Sequence, residues 1–286
     1  MPTPAAQLVQ LGKLGEALAE LQAEIRGKPA DAKLRVFLFQ LLAINGDWDR
    51  ALTQLNVAAE MDASVLLMAQ ACRPALQCEA LRAEVFEGKR LPMVLGQPDE
   101  WVGRMIQAAQ LTAKGGEGNH AGAADLRAQA LETAPAISGT ADGQPFEWFA
   151  DADSRLGPML EAVIDGRYYW IPMSNLAQIE FDKPADLRDL VWTPSKLILA
   201  NGGEKVALVP TRYPGSESDA DPTIRLARRT DWTEIAESVF TGRGQRLFAT
   251  DIGDFPILEL RRVTFGAGSA GSAAIAETGS SETREG

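Results

Sequence analysis

Histidine is almost missing from this chain: His120 is the single one among 286 residues. A Ser-His-Asp triad, a multi-histidine zinc site or a histidine acid–base pair would have to use that residue or do without. Cysteine is scarce as well. Cys72 and Cys78 cannot build a disulfide framework, so a reducing, cytoplasmic setting is the simplest expectation. Long apolar runs are absent. The most apolar stretch, Val36 to Ile44, is broken by Gln40 and falls far short of the ~20 residues of a membrane span. The N-terminus has no basic segment followed by an apolar core, so no secretory signal is expected. Basic residues are outnumbered, 28 against 39 acidic, for a net charge of −11. Such a chain is repelled by nucleic-acid phosphate and by anionic lipid, and neither is expected as a partner. No phosphate-cradling loop is present either, since Gly242-Arg243-Gly244-Gln245 lacks the spacing and the lysine. No cofactor and no metal site are expected.

What remains is an ordinary globular composition, 45% hydrophobic and 23% charged. At ~150 residues per domain, the length predicts about two domains. Three zones separate by composition. Residues 1–136 are rich in the helix formers Ala, Leu, Gln and Glu. Residues 137–265 hold every Tyr and most of the Trp, with many Pro and Gly. Residues 266–286 have almost no large apolar side chain and predict a disordered tail.

The first zone repeats itself. GKLGEALAELQAEIRGKP (12–29) aligns with GDWDRALTQLNVAAEMDA (46–63) at a constant offset of 34 residues, matching Gly12 to Gly46, Ala17 to Ala51, Leu18 to Leu52 and Leu21 to Leu55. That period is similar to the tetratricopeptide pattern, in which glycine permits the turn and alanine lets two antiparallel helices approach. GNHAGAADLRAQALETAP (118–135) is a looser third copy, displaced by 72 residues where 68 would keep register. Residues 64–90 are expected to hold an extra helix pair or one long helix, and 111–120 a Gly-rich interhelical loop. Stacked helical hairpins present a concave face suited to a partner helix or extended peptide. Repeat geometry places Lys33, Val36 and Gln40 on that face, with Met105 and Ala108 from the third unit. The competing expectation is that the second domain covers it.

The second zone reads as a small mixed, β-rich domain of five to seven strands. YYWIPM (168–173) is β-prone. LILANGGEKVALVP (197–210) carries an Asn-Gly-Gly hairpin signal. Residues 246–265 predict two strands around a Gly-Asp turn. DADSRLGPMLEAVIDG (151–166) and TDWTEIAESVF (230–240) both read as short helices.

Candidate functional residues are few. His120, near Glu117 and Asp125, reads as incidental rather than metal-binding. Cys72 and Cys78, six apart on a helix, fall on different faces and read as buried apolar groups. Asp151-Ala152-Asp153 looks like a cation-binding pair, but N-capping with an ion pair to Arg155 is the plainer reading. Asp186, Arg188 and Asp189 read as turn caps and ion pairs beside a buried Trp192. Arg225, Arg228 and Arg229 form a basic cluster, either solvated surface or a dock for an acidic partner segment. Trp101, after Pro98-Asp99-Glu100, is expected in the core at a helix start.

The runs FEWFADADSRLGPMLEAVIDGRYYWIP (146–172), PADLRDLVW (184–192), LVPTRYPGSE (208–217), LARRTDW (226–232) and GQRLFATD (244–251) closely resemble the ImpE family, also called TagJ or SciE-type proteins. Its members are accessory proteins of bacterial type VI secretion systems, and the likeness spans about residues 1–265. The resemblance implies an N-terminal tetratricopeptide-like helical part, a C-terminal β-containing part and a non-enzymatic role. It further implies association with a helical segment of the sheath subunit TssB and a link to the ATPase ClpV. The expectation is therefore an α+β adaptor with domains 1–136 and 137–265. The alternatives are a structural subunit of the machine, or an enzyme using carboxylates around Asp151, Asp153, Glu161, Asp186 and Arg188.

Overall fold

The computed structural model describes residues 3–266, so the tail expected over 266–286 lies, from 267 on, outside the described residues. The chain opens with two helical hairpins, α1 (Pro4–Gln10) with α2 (Leu14–Gly27) and α3 (Ala32–Ile44) with α4 (Trp48–Met61). The turn glycines sit where the repeat put them: Gly12 has φ +75° and Gly46 φ +73°, a region that L side chains rarely adopt. Ala17 and Ala51 are fully buried at the helix crossings. One long helix follows, α5 (Leu66–Phe86), and then a short strand, β1 (Met93–Val94). A third hairpin, α6 (Glu100–Lys114) with α7 (Glu117–Thr133), ends the helical part. Its turn is only Gly115-Gly116, both at positive φ, so the expected ten-residue loop is corrected: most of it is helix, and Gly118 lies inside α7.

Thirteen further strands lie in the second zone: β2 (Gly139–Ala141), β3 (Gln144–Phe146), β4 (Phe149–Asp151), β5 (Met159–Ile164), β6 (Arg167–Pro172), β7 (Leu176–Phe181), β8 (Trp192–Leu199), β9 (Glu204–Pro210), β10 (Thr230–Ala236), β11 (Val239–Gly244), β12 (Leu247–Thr250), β13 (Gly253–Pro256) and β14 (Arg262–Phe265), with a one-turn helix α8 (Pro222–Arg225) before β10. They form a nine-stranded sheet ordered β1-β6-β5-β9-β8-β7-β14-β2-β3, a three-stranded sheet β13-β12-β4 and the hairpin β10-β11. The fold class is the expected α+β, but the strand number is about double the expectation. The β8–β9 hairpin is as expected, whereas β12 and β13 turn at Asp251-Ile252, with Gly253 and Asp254 already in β13.

Two helix expectations fail. Residues 159–164, MLEAVI, are helix formers by propensity yet form β5, buried at every position. Leu160, Ala162 and Ile164 face the small sheet, while Met159 and Val163 face the helices, as a strand sandwiched on both sides requires. Tertiary burial overrides propensity there. Residues 230–240 form β10 and the start of β11, with Ser238 at φ +58° in the turn. Trp232 leaves the helix pattern to pack on Tyr213, ring centroids 5.5 Å apart.

The result is a helical layer, the large sheet and the small sheet, with two cores crossing the expected boundary near 136. One joins α1–α5 to Val191, Trp192 and Leu226, and another joins α5–α7 to β5 and β6. β1, from the helical zone, pairs in parallel with β6. Arginines from the second zone also cap the helices of the first. Arg212 Nη1 donates to the Ile44 carbonyl at 2.8 Å and Nη2 to that of Ala43 at 3.3 Å, at the C-terminal end of α3. Helix C-termini leave such carbonyls without partners, and a cation there is favoured by the helix dipole.

Candidate functional site

Two features could carry function: a cluster of buried charge between α5 and the sheet, and an apolar groove beside it. The cluster gathers the carboxylates singled out from sequence. Glu161 on β5 accepts from Arg82 Nε and Nη2 of α5, both at 2.8 Å, and from the Tyr168 hydroxyl at 2.6 Å. Trp170 Nε1 donates to that hydroxyl at 2.8 Å. Arg246 donates to Glu161 and to Asp151 through its two terminal nitrogens, and through Nε to the Pro210 carbonyl at 2.8 Å. Glu79, one turn before Arg82, accepts from Trp192 Nε1 at 2.7 Å. Asp153 holds Arg155 at two positions, 2.9 and 2.5 Å, and accepts from the Gly242 amide at 2.8 Å. The ion pair with Arg155 is as expected, although a bend follows where a helix was expected.

Burial pushes the Asp151 carboxyl up, to about 7, against the pull of Arg246. Burial acts on Glu161 in the same direction, but Arg82 and then Arg246 overcome it and hold that carboxyl at about 2. Carboxyls displaced in opposite directions are the signature of an acid–base pair. These carboxylates are closed off from solvent. Asp151 is 3% exposed, and Asp153 and Glu161 are 0% exposed, each with its partners in place. No group of three or more His, Cys, Asp or Glu able to hold a metal occurs among the described residues. The network instead ties the helical layer to the sheet.

A pH dependence follows. The Glu161 carboxyl lies below its ordinary 4.5 in the folded chain, so its contribution is complete above about 4.5 and is lost as pH falls toward about 2. Asp151, raised to about 7, works the other way and adds stability as pH falls from about 7 to 3.8, so in urea midpoints between pH 6 and 2.5 the Glu161 loss should show as a fall below about pH 4. Glu161→Gln should be less stable at pH 6 and show a shallower acid limb. An unchanged acid limb would refute the assignment.

The other sequence candidates are dispersed. Asp186 and Asp189 form a capping box on the turn 187–190, with Arg188 Nε 3.2 Å from Asp186. His120 lies in the first turn of α7, and Trp101 is buried at the start of α6. Cys72 and Cys78 are buried and free, each raised by burial to about 11. The basic cluster makes contacts within the chain, while Arg228 and Arg229 stay exposed. Arg225 donates to Asn45 at 3.0 Å, Arg228 to the Gln10 and Val9 carbonyls at the end of α1, and Arg229 pairs with Asp231 and Asp221. Of the concave-face residues, Lys33 is exposed, Val36 half-buried and Gln40 buried. Met105 and Ala108 are fully buried, with the Met105 methyl packed close to Gly157. The second zone covers that part of the face, so these two side chains are core and line no open groove.

The groove that is open was not legible in the sequence. It has a volume of about 740 Å³ and lies between the first half of α5 and strands β8 and β9. Leu67, Ala71 and Pro74 line the helix wall, and Val206 and Leu208 the strand wall, with Arg188 at its edge. Leu67 and Val206 are 79% and 81% exposed, although both are large apolar side chains. Exposed apolar side chains gathered in one concavity mark an interaction site more often than scattered ones do.

Comparison with known proteins adds three findings. The family model described as ImpE protein matches residues 143–264. The type VI secretion system accessory component TagJ of Pseudomonas aeruginosa is 49% identical over 261 residues, covering 91% of this chain and 90% of that protein. The crystal structure of protein VPA1032 from Vibrio parahaemolyticus superposes with a TM-score of 0.80 at 25% identity, covering 92% of this chain and 98% of that one.

Proposed function

Since the chain belongs to the ImpE family of TagJ-type proteins, we propose that it is a non-enzymatic accessory component of a bacterial type VI secretion system, acting as an adaptor. It binds a helical segment of the TssB sheath subunit and is linked to disassembly of the sheath by the ATPase ClpV. One contrast supports this reading: the carboxylates that could do chemistry are sealed in ion pairs, while the open concavity is apolar. Apolar concave surfaces of this kind take the apolar face of an amphipathic helix. The absence, among the described residues, of any helix long and apolar enough to cross a membrane accords with action on soluble partners.

Calorimetric titration of a TssB-derived helical peptide into the full chain should give micromolar binding, ~−8 kcal/mol. No heat at high protein concentration would count against the adaptor. A chain present in one-to-one ratio with sheath subunits in purified sheath would favour a structural subunit instead.

A further inference from the structure

We propose that Arg127 of α7 is a binding residue for a carboxylate, which reaches it when the tip of the β10–β11 hairpin lifts from the turn at Ser154. Among the described residues four arginines are buried, and three of them engage their terminal nitrogens within the chain. Arg82 donates to Glu161 and Glu79, Arg246 to Asp151 and Glu161, and Arg212 to the carbonyls of Ala43, Ile44 and Arg225. Arg127, by contrast, lies on the buried face of α7 between Ala123 and Ala130 and is 6% exposed. Its Nε donates to the Ser154 carbonyl, but Nη1 and Nη2 are shut off from solvent and have no acceptor. A guanidinium carries five N–H donors, and burying them unpaired is costly.

The charges around Arg127 identify the ligand. Burial pulls its guanidinium below the ordinary arginine range, Asp153 opposes that shift and Arg155 adds to it. Asp153 is already fully engaged. Its Oδ1 accepts from the Arg155 amide and Nε, both at 2.9 Å, and its Oδ2 from Arg155 Nη2 at 2.5 Å and the Gly242 amide at 2.8 Å. Those bonds fill the lone-pair sites of a carboxylate. Two guanidinia therefore share one carboxylate, and one positive charge is left unmatched. A second carboxylate supplies that single charge, and its two oxygens match the two terminal nitrogens of the fork. A phosphate group, with about 1.5 to 2 negative charges at neutral pH, would overshoot. The way in lies under the hairpin. β10 packs on α7, and β10 and β11 form a sheet of their own. Phe240 of β11 is held to Ser154 by two bonds, its amide to Ser154 Oγ at 3.0 Å and its carbonyl to the Ser154 amide at 2.9 Å. Breaking that pair uncovers the turn whose carbonyl holds Arg127.

The test compares the full chain with Arg127→Met at neutral pH and fixed ionic strength, in sodium chloride, in sodium acetate, and with an end-capped peptide containing one glutamate or, as control, one glutamine. In chloride, Arg127→Met should melt no lower than wild type, because the variant removes an unmatched buried charge. A clearly lower melting point would mean that the fold already pairs Arg127, and would overturn the proposal. Acetate or the glutamate peptide should raise the wild-type melting point saturably, with affinity weakened at least about tenfold in Arg127→Met. An effect of acetate alone assigns the site to a free small acid. A tighter effect of the glutamate peptide, absent with glutamine, assigns it to an acidic side chain of a partner protein. No effect of either, or an equal effect on both chains, overturns the site. Hydrogen exchange on the wild type needs no variant. Saturating ligand should speed exchange at the Ser154 and Phe240 amides, and unchanged exchange there would overturn the lifting of the hairpin and the proposal with it.

Discussion

Replacing Arg246 by methionine should destabilise the fold by about 3–5 kcal/mol, the range found when one partner of a buried ion pair is removed. Arg246 is fully buried and, among the described residues, is the only guanidinium that joins Asp151 to Glu161. Without it, Asp151 retains the Asp153 amide at 2.8 Å and the Tyr213 hydroxyl at 3.1 Å, but no cation. Glu161 keeps Arg82, so the larger share of the loss falls on Asp151. Lysine should not rescue, because a single ammonium cannot span two carboxylates and the Pro210 carbonyl as the planar fork does. Without Arg246 the Asp151 carboxyl, already raised to about 7 by burial, takes up a proton at neutral pH, so Arg246→Met should be destabilised more at pH 8 than at pH 6, and adding Asp151→Asn should remove that pH dependence. Chemical denaturation monitored by tryptophan fluorescence measures all of these. A loss below 1 kcal/mol for Arg246→Met would mean that the network is no tie between layers.

A chain ending at residue 136 should fail to give a cooperative unfolding transition. Its α5–α7 would lose the β5–β6 wall of their core and expose Trp101, Val102 and Met105 together. Burial of large apolar side chains contributes about 1.5–3 kcal/mol each. Arg82 and Glu79 would lose Glu161 and Trp192, and the ends of α1 and α3 would lose Arg228 and Arg212. Circular dichroism should show helix without a sharp melt, and the fragment should bind dyes that report exposed apolar surface. A sharp transition near that of the full chain would restore residues 1–136 as an independent domain.

Much was legible from residues alone. The 34-residue offset located both turn glycines and both crossing alanines, because helix contact and positive φ demand small residues whatever surrounds them. The Asn201-Gly202-Gly203 hairpin was legible for the same local reason. The capping of Asp186 and the ion pair of Asp153 with Arg155 are contacts between near neighbours in sequence. The failures share one cause. β5 contains Leu160, Glu161 and Ala162, which favour helix, and only the layers on both sides make it a strand. Glu161 looked like a candidate acid until Arg82, 79 residues earlier, and Arg246, 85 residues later, closed on it.

The amino-acid sequence by itself therefore determined the repeat, the α+β class, the family and the scarcity of groups for chemistry. Each of these is carried by composition or by the order of residues along the chain, whichever segments meet in space. Only the tertiary structure decided which charged side chains are reachable and which apolar ones are left uncovered. Met105 and Leu67 are both apolar helix residues. One is sealed because it packs in the core with side chains of β5 and β6, and the other is bare because it faces the open groove at the start of α5. Nothing local to either residue encodes that difference, since burial depends on which segments meet across the chain.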